Sequence, residues 1–238
     1  MIRRLIATAV VSTLLCSCAT SRPGTALQHK IEGKTYLIAG ASSGLGRGVA
    51  EDLGRYKANV VLAARRTELL EEIAAIIHKN GGKAQVVTTD VSNPDEVANL
   101  ARQALLAYGK IDVWINMAGV GAIGRTWEIP DADQVRLIDV NLKGVMYGSF
   151  EAIDIFRKQG SGVLVNLGSV DSEVPHAYQS AYSASKAAVR SFSLTLGQEL
   201  RLDHARKIKI VVIEPWAVDT PFWIHAANYT GKLQRRLC

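Results

Sequence analysis

"TYLIAGASSGLGRG", residues 35–48, runs from an apolar strand pattern into three glycines, Gly40, Gly44 and Gly46, and then into a helical pattern. Glycine at a strand-to-helix turn permits the turn, lets a diphosphate approach the backbone and brings the helix close to the sheet, while the helix N-terminus favours negative charge. Alone, such a turn is weak evidence; its position after the first strand of an alternating series gives it weight. From Lys34 onward strand-like runs recur at 35–40, 59–64, 84–89, 112–117, 162–169 and 208–214. Helical patterns fall between them, near 44–57, 67–80, 94–108, 131–158 with breaks, and 178–204. The alternation predicts βαβ units around a doubly wound parallel sheet buried on both faces, hence a single α/β domain over 34–238.

The chain has 238 residues, 48% of them hydrophobic, enough for one well-filled core. A net charge of +6 raises nucleic acid or an anionic membrane as partners, so the location of the charge matters. Seven of the 28 basic residues lie in 1–30 and 232–238, where there is no acidic residue. The body between holds 21 basic against all 22 acidic residues and is not a nucleic-acid surface. Cys16, Cys18 and Cys238 lie outside it, so no disulfide framework or cysteine zinc site holds it together. The five histidines show no metal-type pairing, and no metal is expected.

Residues 1–21 have the layout of an export signal: Arg3 and Arg4, then an uncharged stretch that is most apolar from Leu5 to Leu15. "LCSC" at 15–18 resembles a bacterial lipoprotein processing site. Residues 22–33, with "SRPGT", read as a linker. A membrane-associated or exported protein tethered through Cys18 is therefore expected, with a cytoplasmic one as the alternative.

An NAD site needs a carboxylate for the ribose 2′-hydroxyl about 20 residues beyond the glycine turn. The second strand ends instead in "AARR": Ala64 has no carboxylate, and Arg65 and Arg66 are planar charged donors suited to a 2′-phosphate. The expected cofactor is NADP(H), against the blander view of two solvated arginines at a helix start. Further on, "YSASKAAVRSF" places Tyr182 and Lys186 four residues apart, on one helix face. A nearby ammonium stabilises tyrosinate and lowers a phenol pKa that is ordinarily near 10, so Tyr182 could exchange a proton with a substrate oxygen. The spacing alone is weak; Ser169, at the end of the fifth strand, adds context.

Together these motifs resemble the short-chain dehydrogenase/reductase family, with its Rossmann fold. "GASSGLG" matches the glycine motif, "DV" at 90–91 the adenine-pocket acid, "NMAG" at 116–119 the usual "NNAG" and "VNLKG" at 140–144 the helix-borne asparagine. "NLGSV" at 166–170 matches the catalytic-serine strand and "YSASK" at 182–186 the tyrosine–lysine pair. The resemblance implies Tyr182 as general acid or base and Ser169 as hydrogen-bond partner of the substrate oxygen. It also implies Lys186 lowering the pKa of Tyr182 and binding ribose, and Asn141 holding a helix kink and a proton-relay water. For the cofactor it implies Gly40, Ser42, Ser43, Gly44, Leu45 and Gly46 at the diphosphate turn. Asp90 and Val91 would flank the adenine, and Asn116, Ala118 and Gly119 would line the adenosine ribose. Pro215, Val218 and Thr220 would lie near the nicotinamide, alongside Tyr182 and Lys186.

Two departures stand out. Trp216 replaces the glycine of the family's usual Pro-Gly pair, and with Tyr178, Phe222, Trp223 and Tyr229 it suggests either an apolar substrate pocket or a loop that packs its aromatics as core. Only 24 residues follow Glu214, fewer than the family uses for a substrate helix and a seventh strand, so a shortened or frame-shifted C-terminal part is expected. The function these readings converge on is hydride transfer between NADP(H) and a small carbonyl or secondary-alcohol substrate, by a homo-oligomer if the fold is complete. A catalytically weak nucleotide-binding relative is the alternative, and an epimerase or dehydratase on the same scaffold a further one.

Overall fold

Residues 25–232 are described by the structure, a computed structural model of the chain. The chain divides into two units between Lys30 and Ile31. Helix α1 (Thr25–Ile31) spans that boundary and begins where a linker over 22–33 is expected. Its last turn carries His29 and Lys30, a charge pattern suited to a helix C-terminus.

The second unit alternates strands and helices as the sequence pattern predicts. In order these are β1 (Thr35–Ala39), α2 (Gly44–Arg55), β2 (Asn59–Ala64), α3 (Thr67–Lys79), β3 (Lys83–Thr88), α4 (Pro94–Tyr108) and β4 (Val113–Asn116). A two-residue strand β5 (Ala122–Ile123) precedes α5 (Asp131–Ile138), a π-helical turn (Asp139–Lys143) and α6 (Gly144–Gln159). Then come β6 (Gly162–Leu167), a 3₁₀ turn (Val170–Ser172), α7 (Ser180–Leu202), β7 (Ile208–Ile213), α8 (Phe222–His225) and the two-residue β8 (Ala227–Asn228). Local chemistry sets the ends. Asn93 accepts a hydrogen bond from the Asp95 N–H at the start of α4, where Pro94 takes the first turn, and Gly109 closes the helix in the left-handed region.

The main sheet is parallel throughout, in the order β3-β2-β1-β4-β6-β7. This is the doubly wound Rossmann arrangement, in which the strand order reverses beside β1. Because strand residues alternate in direction, adjacent apolar residues feed opposite cores. Leu37, Val61 and Trp114 join Leu100, Phe156 and Leu164 on one face. Ile38, Val60, Leu62 and Ile115 join Leu70, Ile73 and Ile77 on the other. Both faces being buried, the inner strands read as continuous apolar runs rather than alternating ones. β7, outermost in this sheet, is less covered: Val211 is 40% exposed and Ile213 44%.

A second, two-stranded parallel sheet joins β5 to β8. Neither strand is expected from the sequence pattern, because two residues are too few for a period to register. The expectation of a membrane-tethered or exported protein, with its signal-peptide and lipoprotein reading, is corrected: no helix among the described residues is long and apolar enough to cross a membrane. The segment 1–21 that prompted it lies outside the described residues, as does 233–238.

Candidate active site

A cavity of about 700 Å³ opens beside the C-terminal ends of β1, β2, β4 and β6. This is the crevice where doubly wound sheets take ligands, and its size is that of an ordinary small-molecule site. Leaving β1, the chain turns at Gly40, whose φ is +103° and where a Cβ would lie 2.4 Å from the Ala118 backbone N. A Cβ on Gly46 would meet the Gly40 carbonyl oxygen at 2.1 Å. Only glycine fits either place, and α2 consequently starts tight against the strand, with Gly44, Leu45 and Gly46 of its first turn lining the cavity. The first turn of α2 has no acidic residue, and the Ser43 hydroxyl does not cap it. Such a cradle fits the diphosphate of a dinucleotide.

Ser42, Ser43, Gly44 and Leu45 line the same cavity, as do Ala64, Arg65 and Arg66 at the end of β2. Arg66 Nη2 donates to both Ser42 Oγ and Ser43 Oγ at 3.0 Å, tying the guanidinium to the glycine turn. Asp90 and Val91 follow β3 into the cavity. Asp90 Oδ1 accepts from the N–H and hydroxyl of Ser92 at 3.0 and 2.7 Å, and Oδ2 accepts from Arg136 Nη2 at 2.8 Å. Burial alone would push the Asp90 carboxyl up, but the Ser92 and Arg136 bonds outweigh it and hold it below the usual carboxylate range. Oδ2 keeps a lone pair for a further donor. Arg136, another lining residue, is not indicated by any motif.

Ala118 and Gly119 line the cavity, whereas Asn116 does not. Its side chain is turned into the core, where Oδ1 accepts from Trp114 Nε1 at 2.8 Å and Nδ2 donates to Asn166 Oδ1 at 2.9 Å. Asn166 Nδ2 continues to Ser193 Oγ at 2.9 Å. Asn116 thus sits in the core, tying β4 and β6 to α7, and not in the cavity lining where the resemblance puts a ribose contact.

Ser169 leaves β6 and caps the 3₁₀ turn, its Oγ accepting from the Asp171 N–H at 3.2 Å. Tyr182 and Lys186 lie one turn apart on α7, with Lys186 Nζ 5.7 Å from the Tyr182 ring centroid. Ser169, Tyr182 and Lys186 all line the cavity. Lys186, 2% exposed, donates to the Leu167 carbonyl at 2.7 Å, and burial lowers its pKa to about 8. The expected lowering of the Tyr182 pKa is not what these surroundings do. Burial pushes it up to about 12, with the Ser169 hydroxyl pulling down and the Asp171 charge pushing up. Desolvation outweighs any help from an ammonium that is itself weakened by burial.

Asn141 sits in the π-helical turn, fully buried. Its Oδ1 accepts from the Val120 N–H at 2.8 Å and its Nδ2 donates to the Val120 carbonyl at 2.9 Å. It thus clamps the loop after β4, and a Cβ on Gly119 would lie 3.5 Å from its Oδ1 and 4.0 Å from Lys186 Nζ. After β7, Pro215, Val218 and Thr220 line the cavity together with Trp216, Phe222 and Trp223. Trp216 is absent from the residues with positive φ, so the loop follows a path open to any side chain. Tyr178 and Tyr229 are not among the lining residues. The Tyr229 hydroxyl donates to Asp133 instead. Asp171 and His176 do line the cavity, and their place between Ser169 and Tyr182 is the signal that could have pointed to them.

Comparison with known proteins gives this arrangement a family. The sequence model of the short chain dehydrogenase family matches residues 34–228. The chain belongs to that family. Membership places it in the class of NAD(P)-dependent short-chain dehydrogenases/reductases, and the match begins at residue 34, beyond the export-signal-like segment 1–21. Among similar family members, the oxidoreductase YxnA of Bacillus subtilis is 31% identical over 204 residues, 85% of this chain but 57% of that protein. The chain thus spans little more than half of that relative's length. The 3beta-hydroxysteroid dehydrogenase 1 of Eggerthella lenta is 36% identical over 194 residues, 80% of this chain and 73% of that protein. Among solved structures, a short chain dehydrogenase/reductase from Burkholderia phymatum in complex with NAD superposes with a TM-score of 0.79 at 33% identity, covering 82% of this chain and 69% of that one.

Proposed function

We propose that this chain reduces a carbonyl compound, or oxidises the matching secondary alcohol, using NADP(H). The observation that carries the reading is that Ser169, Tyr182 and Lys186 share one cavity with the Gly40–Gly46 turn. The dinucleotide, when bound, supplies or accepts the hydride. Tyr182 gives its phenolic proton to the carbonyl oxygen as the carbon gains the hydride, so that C=O becomes CH–OH. Ser169 donates a second hydrogen bond to that oxygen. Lys186 stabilises the tyrosinate left behind and returns a proton to it; in the oxidising direction each proton runs the other way. Asn141 holds the loop that carries Gly119 against Lys186.

NADP(H) rather than NAD(H) is favoured by Arg65 and Arg66 in the cavity wall and by Ala64, which has no carboxylate for a 2′-hydroxyl. The Burkholderia relative is bound to NAD, so the preference rests on these three residues. Trp216, Phe222 and Trp223 supply an apolar wall, and similarity to a protein named for a hydroxysteroid points the same way, toward an apolar ketone or alcohol.

The test is oxidation of NADPH by the purified protein across a panel of aldehydes, ketones and quinones. Tyr182→Phe is expected to lower turnover at least about 100-fold while leaving NADPH affinity nearly unchanged. NADPH binding without turnover of any panel member overturns the reading. Arg66→Ala is expected to raise KM for NADPH roughly 10- to 100-fold, the worth of a charge-assisted hydrogen bond, and to leave that for NADH within about twofold. Equal loss for both sinks the cofactor preference.

A further inference from the structure

The hydride-transfer scheme leaves one polar pair of the cavity unused. The 3₁₀ turn capped by Ser169 carries Asp171 into the wall, 6% exposed, and its Oδ1 is hydrogen-bonded to His176 Nδ1. A carboxylate this buried needs a partner, and a partner role alone would explain a histidine. His176, however, is itself a lining residue with 44% of its side chain exposed. Its ring stands edge-on to the Trp216 ring at 86°, with centroids 6.1 Å apart. With Nδ1 taken by Asp171, the polar atom it has left for the cavity is Nε2, and no partner for Nε2 is found among the described residues. The site lies close to the chemistry, because the Asp171 charge is felt at the Tyr182 hydroxyl.

We propose that His176, oriented by Asp171 and braced by Trp216, is a specificity-determining residue that hydrogen-bonds a second, neutral oxygen of the substrate through Nε2. The inference rests on the hydride-transfer reading above and narrows it, from apolar carbonyl compounds in general to those carrying a further oxo, ester or hydroxyl oxygen near the reacting carbon. The pair is neutral when the ring is protonated and negative when it is not. It offers no net positive charge to a carboxylate, and the oxygen it selects is an uncharged one. A protonated ring presents Nε2–H to a carbonyl, a neutral ring presents the Nε2 lone pair to a hydroxyl; either is a single well-placed polar contact against an aromatic wall, the usual grammar of a small-molecule pocket.

Steady-state kinetics of the full chain with saturating cofactor test this with three ketones: methyl hexyl ketone, ethyl acetoacetate and diacetone alcohol. Only the latter two carry a second oxygen, one as acceptor and one as donor. His176→Leu is expected to raise KM for at least one of them about 10-fold or more, while KM for methyl hexyl ketone stays within about twofold and kcat for all three within about threefold. His176→Gln, which keeps a donor and an acceptor, is expected to recover part of the loss. The affected probe identifies the partner: ethyl acetoacetate a carbonyl, diacetone alcohol a hydroxyl. Parallel changes for all three ketones, or none, overturn the inference while leaving hydride transfer intact. Turnover of none of these three ketones by the unsubstituted protein overturns this inference, and only absence of turnover across the whole panel of aldehydes, ketones and quinones overturns the hydride-transfer reading with it.

Discussion

One helical turn separates Tyr182 from Lys186, and burial drives both toward their neutral forms, one up to about 12 and the other down to about 8. The consequence is a pH profile governed by Lys186. Its ammonium is present below about pH 8 and lost above it, so kcat/KM for carbonyl reduction is expected to fall as pH rises through that value. Alcohol oxidation, which needs the proton removed, is expected to rise over the same window. Initial rates in both directions between about pH 7 and 9 check this, and a flat profile in both would sink it. The pairing of these residues was legible at i, i+4; the direction of the tyrosine shift was not. Spacing reveals a neighbouring charge, but desolvation depends on which elements close over the pair. The same holds for Asp171 and His176, whose meaning depends on a short turn that no periodicity announces.

At the level of elements, the break between α5 and α6 is where sequence and structure inform one another most. The helical pattern over 131–158 predicts breaks without placing them; the structure puts a π-helical turn at Asp139–Lys143 and uses it to aim Asn141 at Val120. Asn141→Ala removes a partner from both backbone groups of Val120, with an expected cost of about 1–3 kcal/mol. Denaturant unfolding measures that cost, and hydrogen exchange is expected to rise at Gly119–Gly121 ahead of the rest of the chain. Unchanged exchange there would show the clamp to be idle. Strand and helix positions were readable because apolar runs bounded by glycine, proline and asparagine are long enough to carry a period. Whether Asn116 faces cavity or core was not legible, because its motif sits at a strand end, where one residue's difference in pleat decides between the two. α1, seven residues long and without an acidic first turn, gave no such signal beside proline and glycine.

Across the whole molecule, the two cores explain why so much of the architecture could be read in advance: a sheet covered on both faces must be built from nearly unbroken apolar strands. The outer strand marks the limit of that rule. Leu164 in β6 is fully buried, whereas Ile213 in the adjacent strand β7, opposite Leu167, is 44% exposed. Leu164→Ala is expected to cost about 2–5 kcal/mol, and Ile213→Thr no more than about 0.5 kcal/mol. Chemical denaturation of both variants checks the contrast, and comparable losses would mean that β7 is covered in solution.

The small β5–β8 ladder gives the aromatic segment after β7 a particular mechanical character. Ala227 donates to the Gly121 carbonyl at 2.9 Å and Tyr229 to the Ile123 carbonyl at 2.7 Å, while Pro215 accepts from Val170 at the other end. Trp216, Phe222 and Trp223 are therefore carried on a span fastened at both ends, a clasp rather than a tail. A clasp can exchange its ornaments without loosening its hinges. Side chains along it are expected to be exchangeable without displacing Ser169, Tyr182 or Lys186.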